Sequence, residues 1–502
     1  MGQYLLAHDL GTSGNKATLF GTDGSIIGHH TYAYEVFYPE EQWAEQDPED
    51  WWKAVRQSTR LLLAETGVSG DEVAAVSFSG QMMGCLPVSA DGTPLRRAII
   101  WADMRASGET AELSQKIDPD HFYDIVGHKN TPSYGIQKCM WVRKHEPEIY
   151  EKTYKFLNAK DFIVQRLTGR FCTDCSDANS MDCFDSAALQ WSEEIVEASG
   201  IDPEKLPEIL PSTAFCGYVT EKAAEETGLS VKTKVIMGAG DGVAANVGAG
   251  CVAPGRAYCC LGTSAWVAGT SVKPVLDEKR RIVCWAHAVP GLWSPNATMQ
   301  YAGGSYEWMK NTLCREEAMI ADAEGKNVYE LINEEILGTE KGAGNVLFLP
   351  YLLGERAPRW NPDARGVFFG ITAGTTKAEM LRAVLEGIVM NLAICFDILQ
   401  REEKIPELVL IGGAGRSNAW QQTIADIFQV RILVPEYLEE ANSIGAAVIA
   451  GVGSGIFADF SAADRFVKIV KTVEPAAGSR ELYAPVREKY EKLYQTLLPM
   501  FE

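Results

Sequence analysis

No apolar run in the 502 residues approaches the roughly 20 consecutive positions that a bilayer-spanning helix requires. Basic residues are also in short supply: 46 Lys and Arg stand against 67 Asp and Glu, a formal net charge of −21. That balance argues against nucleic acid or an anionic membrane as partner, since both are bound through basic patches. It leaves room for an anionic nucleotide, because a small nest of backbone N–H groups holds phosphate even in an acidic protein. Cysteine is sparse, 12 in the chain, too few for a disulfide scaffold. The one suggestive spacing, Cys172-x-x-Cys175 with Cys183 nearby, lacks a second Cys-x-x-Cys to complete a zinc site, and reduced thiols are the simpler reading. The phosphate-loop pattern GxxxxGK(S/T) is missing, which excludes that class of nucleotide chemistry. Met1-Gly2-Gln3 enters a strand-like run with no basic segment or cleavage site, so the cytoplasm is the expected location.

What the chain does have is a four-residue phrase used twice, Leu10-Gly11-Thr12-Ser13 and Leu261-Gly262-Thr263-Ser264. Each copy lies between two apolar, strand-like runs: residues 4–8 and 17–20 around the first, 257–260 and 265–268 around the second. Glycine followed by small hydroxyl residues lets a hairpin turn bring backbone N–H groups and hydroxyl donors up to an anion. One such turn is commonplace. Two, about half a chain apart, predict two related lobes holding one polyphosphate between them.

The order of elements repeats in the same way. A strand meander opens the chain, and a helix follows with Asp47 as N-cap, Pro48 first inside, and Glu49 and Asp50 in its first turn. Strands over 73–78 and 98–101 and helices over 137–145 and 161–167 come next. The theme restarts after Pro254-Gly255-Arg256, with strands over 257–261, 265–269 and 407–411 and helices over 377–400 and 418–428. A helix over 443–450 is rich in Ala and Gly and must pack closely; a charged amphipathic helix over 480–497 ends the pattern. Residues 321–341 are acidic and helical and read as surface. Length and duplication predict an α/β protein of two domains, residues 1–249 and 250–502.

Asp9 ends the first strand directly before the first phosphate turn. A carboxylate there suits Mg²⁺ beside phosphate oxygens, or simply caps the turn. Lys16, past the turn, either neutralises phosphate as a point cation or is a solvated strand residue. In Val235-Ile236-Met237-Gly238-Ala239-Gly240-Asp241-Gly242 a strand delivers Asp241 among glycines, ahead of a small-residue helix. Phosphoryl transfer to an alcohol needs a carboxylate to take the hydroxyl proton, and Asp241 is the candidate; N-capping the next helix is compatible with that role. Ser79-Gly80-Gln81-Met82-Met83-Gly84 and Trp101-Ala102-Asp103-Met104-Arg105 each follow a strand. Together they offer a sugar-like ligand an amide, thioethers, a flat ring, a carboxylate and a guanidinium, so Gln81, Met82, Met83, Trp101, Asp103 and Arg105 are candidate substrate contacts. The glycine-rich turn from Ile411 to Asn418 would admit a nucleotide's base or ribose against bare backbone.

Taken in order, HDLGTSGNK (8–16), WAEQDPEDWW (43–52), SGQMMG (79–84), IIWADMR (99–105), GAGDGVAANVG (238–248), LGTS (261–264), LPYLLGERAP (349–358), GVFFGI (366–371) and IGGAGRS (411–417) resemble the FGGY family of carbohydrate kinases. That family lies within the actin-like ATPase superfamily, and the resemblance covers nearly the whole chain. Residues 366–386 resemble the family's second signature throughout; Lys138 and Trp141 fit the first, while Gly135 and Cys139 depart from it. EQDPEDWW, GERAP and GVFFGI are most similar to the xylulokinase branch. The resemblance implies an α/β fold of two actin-like (ribonuclease H-like) domains with a cleft between them. It implies transfer of the ATP γ-phosphate, with Mg²⁺, to a hydroxyl of a ketose such as D-xylulose. Another ketose, a polyol or a sugar acid is the alternative acceptor, and a non-catalytic sugar or nucleotide sensor the alternative role. Retention of both Asp9 and Asp241 favours the enzyme, since a sensor needs no base. By the same resemblance Asp241 is the catalytic base and Asp9 the Mg²⁺-associated carboxylate. Gly11, Thr12, Ser13, Asn15, Lys16, Gly262, Thr263 and Ser264 are phosphate contacts, and Gly412, Gly413, Ala414, Gly415, Ser417 and Asn418 lie near adenosine. The expected partners are small molecules, sugar and ATP, with a homodimer left open. Xylulokinases carry His where Met83 stands and Asn where Gly242 stands, both sugar contacts. Losing two polar partners implies a pocket reshaped for another ketose, a polyol or a less hydroxylated sugar.

Overall fold

Strands β1 (Tyr4–Leu10) and β2 (Gly14–Gly21) are joined by the first Gly-Thr-Ser turn and pair antiparallel, with Asp9 opposite Lys16. The coordinates are a computed structural model that describes residues 3–401 and 403–501, so Met1 and Gly2 of the N-terminal reading lie outside the described residues. β3 (Ile26–Ala33) adds to the far side of β2, and its alternating half-buried and exposed residues mark an edge strand. Helix α1 (Pro48–Thr66) begins as predicted, the Asp47 carboxylate accepting from the Glu49 N–H at 3.0 Å, and stops at left-handed Gly67. It returns the chain across the meander so that β4 (Val73–Gly80) lies parallel to β1. The helix α2 (Gly135–His145) belongs to the following insertion. β5 (Phe215–Tyr218) and β6 (Lys234–Ile236) then complete the sheet in the order β5-β6-β4-β1-β2-β3. Helix α3 (Asp241–Gly248) leaves its C-terminal edge.

The second half repeats the plan. β7 (Ala257–Leu261), β8 (Ala265–Gly269) and β10 (Trp293–Met299) form an antiparallel meander, with β9 (Val283–Ala286) outside it. β11 (Glu407–Ile411) and β12 (Arg431–Pro435) run parallel to β7, and β13 (Ile469–Val473) closes the edge antiparallel. Helices α4 (Lys377–Leu399) and α5 (Asn418–Phe428) cover this sheet. α4 is buried along most of its length, which is why its sequence is apolar on several faces.

Helix α6 (Ala441–Ser454) comes from the second half but packs on the first sheet: Ile444, Ala446, Ala447 and Val448 share a core with Leu5, Ala7, Phe20, Val243 and Val247. α6 crosses α3 at two glycines. A Cβ on Gly248 would stand 1.7 Å from the Ala441 carbonyl oxygen, and one on Gly445 1.9 Å from that of Ala244. The small-residue composition therefore serves backbone-to-backbone contact. Among the described residues no helix is long and apolar enough to cross a membrane.

Two local expectations change. The strand expected over 98–101 is only Ala98–Ile99, paired with Glu45–Gln46, because the chain turns at Trp101. The acidic stretch 321–341 is broken at Gly325 into the helices Arg315–Glu324 and Val328–Gly338, and Ile332 and Ile336 are buried, so only part of it is surface.

Replacing either crossing glycine tests the contact. Gly248→Ala and Gly445→Ala are expected to destabilise by about 1–3 kcal/mol, the usual overpacking cost, despite alanine's better helix propensity. Gly108→Ala is the control: that glycine is helical and nothing lies within 4 Å of its added Cβ. Calorimetric melting that ranks all three alike would rule out a tight crossing.

Candidate active site

Two cavities meet at the second Gly-Thr-Ser turn. Gly262 and Thr263 line one, of about 500 Å³, while Ser264 lines the other, of about 360 Å³. Thr12 of the first turn and Asp241 also face the smaller cavity. A polyphosphate lying in the larger cavity thus has a path over the turn toward Asp241.

Asp241 is the first residue of α3, its Oδ1 accepting from the Gly242 N–H at 2.7 Å. Burial pushes its carboxyl up to about 7, and the nearby charge of Asp9 adds to the shift. Asp9 is itself raised by burial, while Asn442 and the Lys16 cation oppose the rise. Asn442 Nδ2 donates to both Asp9 oxygens, at 3.2 and 3.4 Å. Lys16 is held by Glu440, which directly precedes α6. The turn that carries Asp9 is therefore fastened to the start of α6 at two points. On the other side Trp266 Nε1 donates to Tyr258 (2.9 Å), whose hydroxyl donates to the Gly242 carbonyl (2.9 Å), tying β7 and β8 to the start of α3.

The smaller cavity is walled by Met82, Met83 and Trp101 from the first half and by Trp266, Trp285, Asn296, Thr298, Arg356 and Trp360 from the second. Trp101 Nε1 donates to Thr12 Oγ1 at 2.9 Å, so ring and turn are set together. Three of the expected sugar contacts, Gln81, Asp103 and Arg105, do not line this cavity. Gln81 donates to Gln46 (2.7 Å), which in turn donates to the Thr12 carbonyl (2.6 Å), so it stiffens the turn from behind. Asp103 is buried, accepting from the Ala44 N–H (2.6 Å) and from Arg105 Nη2 (2.7 Å). The Arg105 guanidinium is packed 3.8 Å from the Trp43 ring centre and 4.9 Å from that of Trp141. Aromatic caging and a bidentate partner turn this ion pair inward. Asn15 is a fourth correction: it is fully buried, donating to Ser58 (2.8 Å) and bonded to His8, on the face of β2 toward α1.

The larger cavity takes Gly413, Ala414 and Ser417 from the predicted glycine turn, together with Tyr306, Asn327, Tyr329, Asn333, Arg416 and Trp420. Gly412, Gly415 and Asn418 do not line it. Gly412 has φ +87°, and a Cβ there would stand 2.5 Å from the Leu261 carbonyl oxygen, so it permits the turn to hug β7. The Gly415 carbonyl accepts from Gln421, and Asn418 accepts from Lys471 at 2.6 Å. Gly11 and Ser13 remain in the first turn, the Gly11 carbonyl accepting from Tyr34. Of the residues missed in the sequence, Trp266, Trp285, Asn296 and Thr298 lie on β8, β9 and β10, Asn442 on α6, and Arg356 and Trp360 on the connection after Leu349. For Arg356 a signal was present in GERAP, and for Asn442 in the polar residues just ahead of the Ala/Gly-rich helix.

Residues 4–248 match the family model for the N-terminal domain of the FGGY family of carbohydrate kinases, and residues 257–454 that for its C-terminal domain. A gluconokinase of Bacillus licheniformis is 31% identical over 503 residues, covering 100% of this chain and 95% of the relative. A xylulose kinase of Escherichia coli (strain K12) is 32% identical over 495 residues, covering 98% and 99%. The crystal structure of a ligand-bound xylulose kinase from Lactobacillus acidophilus superposes with a TM-score of 0.91 at 26% identity, over 99% of this chain and 98% of that one. The expected two-domain, actin-like α/β architecture is the one these matches share.

The raised carboxyl has a consequence for stability. Asp241 holds its proton more tightly folded (about 7) than at its ordinary 3.8, so native stability falls as pH rises between those values and the loss is complete above about 7. Asp241→Asn removes that loss. Its melting temperature is expected to exceed wild type at pH 8, by about 1 °C per kcal/mol recovered, with the margin shrinking toward pH 5. Equal margins at both pH values would show that Asp241 is not desolvated.

Proposed function

The chain belongs to the FGGY family of carbohydrate kinases and is an ATP-dependent sugar kinase, and on that premise we propose that Asp241 is its general base and the 360 Å³ cavity its acceptor site. One observation carries this reading: a buried carboxyl poised near 7 on the cavity wall, beside the turn that parts the two cavities. A base with that pKa takes a proton efficiently at neutral pH. The acceptor O–H proton passes to the Asp241 carboxylate as the oxygen bonds to the γ-phosphorus, and the bond from that phosphorus to the β-phosphate oxygen breaks to release ADP. Gly11, Thr12, Ser13, Gly262, Thr263 and Ser264 supply N–H and hydroxyl donors to the phosphates. The Asp9 carboxylate supplies the oxygen ligands that a hard divalent cation takes, and its burial favours a bound counter-charge. Mg²⁺ held there would neutralise charge on the terminal phosphates. Gly413, Ala414 and Ser417 would take the adenosine side.

The acceptor we propose is a ketose such as D-xylulose. A second reading, a sugar acid, is favoured by Arg356, whose guanidinium lines the cavity and has no side-chain partner among the described residues, with Lys129 close by over the Trp360 ring at 4.4 Å.

Asp241→Ala is expected to lower kcat about 10²–10⁴-fold while leaving nucleotide affinity within twofold, as followed by coupled assay and ADP titration. A kcat above a tenth of wild type would rule the base out. For the acceptor, kcat/KM above about 10⁴ M⁻¹s⁻¹ on D-xylulose is expected. A higher value on D-gluconate, lost at least tenfold in Arg356→Met, would establish the second reading. Because nothing lies within 4 Å of a Cβ added to Gly242, Met83→His with Gly242→Asn has room. That pair should raise kcat/KM for D-xylulose by about one to two orders of magnitude if the missing hydrogen bonds limit it.

A further inference from the structure

Lys138 lies in α2 and is completely buried, yet no carboxylate pairs with it. Its ammonium group donates to three backbone carbonyls: Met83 at 2.7 Å, Ile100 at 2.8 Å and Ser133 at 2.5 Å. Three N–H donors meet three acceptors, so the group is saturated without a counter-ion. The acceptors belong to three separate segments of chain, and each segment places a side chain on the wall of the smaller cavity. Met83 does so itself, Trp101 follows Ile100, and Ser133 stands beside Tyr134. None of the three segments is a strand or helix at that point. A two-bond bridge between Cys85 and Ile99 pairs the first two nearby, while among the described residues no backbone hydrogen bond joins the Ser133 segment to either, so Lys138 is what ties it to them.

Met83 shows what the fastening maintains. Its φ is +61°, a left-handed conformation that a residue with a long side chain rarely adopts. It persists because both of its backbone polar groups are held: the N–H donates to Ser180 Oγ at 3.0 Å and the carbonyl accepts from Lys138. Burying an ammonium group without a carboxylate is unfavourable, and what offsets it here is that the group satisfies carbonyls an apolar side chain would leave without a donor. The nearest carboxylate, Asp103, is engaged by Arg105 and the Ala44 N–H. Burial accordingly pushes Lys138 down to about 7, Asp103 opposing the shift.

We propose that Lys138 is a positioning residue of the acceptor site, its ammonium group fixing the Met83, Trp101 and Ser133 segments against one another so that the cavity is formed before the acceptor arrives. The assignment rests on reading that cavity as the acceptor site. Lys138 makes no direct contact with either phosphate turn and is linked to the first only through the Trp101–Thr12 hydrogen bond, so its effect falls chiefly on the acceptor. A preformed wall favours the bound acceptor because no loop has to be ordered on binding.

The test compares Lys138→Met, close in length but without donors, and Lys138→Gln, shorter with two donors, against wild type. Each is assayed on D-xylulose and on D-gluconate, with MgATP varied separately. Lys138→Met is expected to lower kcat/KM for the acceptor at least tenfold, chiefly through KM, while KM for MgATP and the affinity for MgADP stay within twofold. Lys138→Gln should recover part of the loss. A role confined to stability would instead lower the active fraction and leave both KM values unchanged. That result, or parallel changes in acceptor and nucleotide KM, overturns the proposal, as would failure of both variants to fold. Full activity of Asp241→Ala would overturn the acceptor-site reading itself. Loss of activity there, with Lys138→Met indistinguishable from wild type, would overturn the clamp alone.

Discussion

The backbone contact between α3 and α6 decides where every group of the cleft sits. Carbonyl oxygens of Ala441 and Ala244 occupy the space a Cβ would need on Gly248 and Gly445. No side chain lies between that could yield, so the two helices have one separation available. Both begin at the cleft: α3 with Asp241, α6 just after Glu440 and one residue before Asn442. Asn442 meets Asp9 and Glu440 meets Lys16 only because the crossing brings the start of α6 to the first phosphate turn. The same contact places the second half's helix on the first half's sheet, so the lobes share a core. Any opening between the sheets has to preserve this contact or break that core.

The electrostatics of the cleft follow from that geometry. Asp9 and Glu440 share the Lys16 cation, Asp241 feels the charge of Asp9, and Asp9 and Asp241 are both raised by burial. Like charges in a desolvated place are unfavourable, and a triphosphate brought to the same turns adds more negative charge. A divalent cation held at Asp9 would supply the missing positive charge in the proposed complex. The chain's overall acidity has little part in this, because backbone N–H groups of two turns and one local cation set the field where phosphate would lie.

Much of the fold was legible because it is written in local rules. Asp47, Pro48 and Gly67 bracket α1, and the two Gly-Thr-Ser turns sit between strands as their apolar flanks required. β7, β8 and β11 and helix α5 have the bounds that the pattern of apolar residues gave. The candidate site was legible only where a local rule also places a side chain on the cavity, as at Asp241, which starts its helix and lines the cavity. It was not legible where a side chain's direction depends on a distant partner. Arg105 looks available in the sequence, but Trp43 and Trp141 cage it from 62 and 36 residues away in the chain. Asn15 follows the first turn by two residues, yet strand alternation sends its side chain toward α1 instead of the cleft.

That Gln81, Asp103 and Arg105 lie behind the cavity wall bears on how specificity would be encoded in the proposed acceptor site. If Gln81, Asp103 and Arg105 touched the acceptor, the pocket would select by charge and hydrogen bonding from its first half. They brace from behind instead, and the surfaces they brace are the thioethers of Met82 and Met83 and the rings of Trp101, Trp266, Trp285 and Trp360. Such a wall recognises the apolar faces of a sugar carbon chain and leaves polar discrimination to a few groups, Asp241, Asn296, Thr298 and Arg356 among them. An apolar wall discriminates weakly unless its shape is fixed, because a movable thioether adapts to many ligands. The strained Met83 backbone, held at both polar groups, supplies that fixed shape. With the cavity as the proposed acceptor site, selectivity would depend as much on the groups that immobilise its wall as on the side chains that face it.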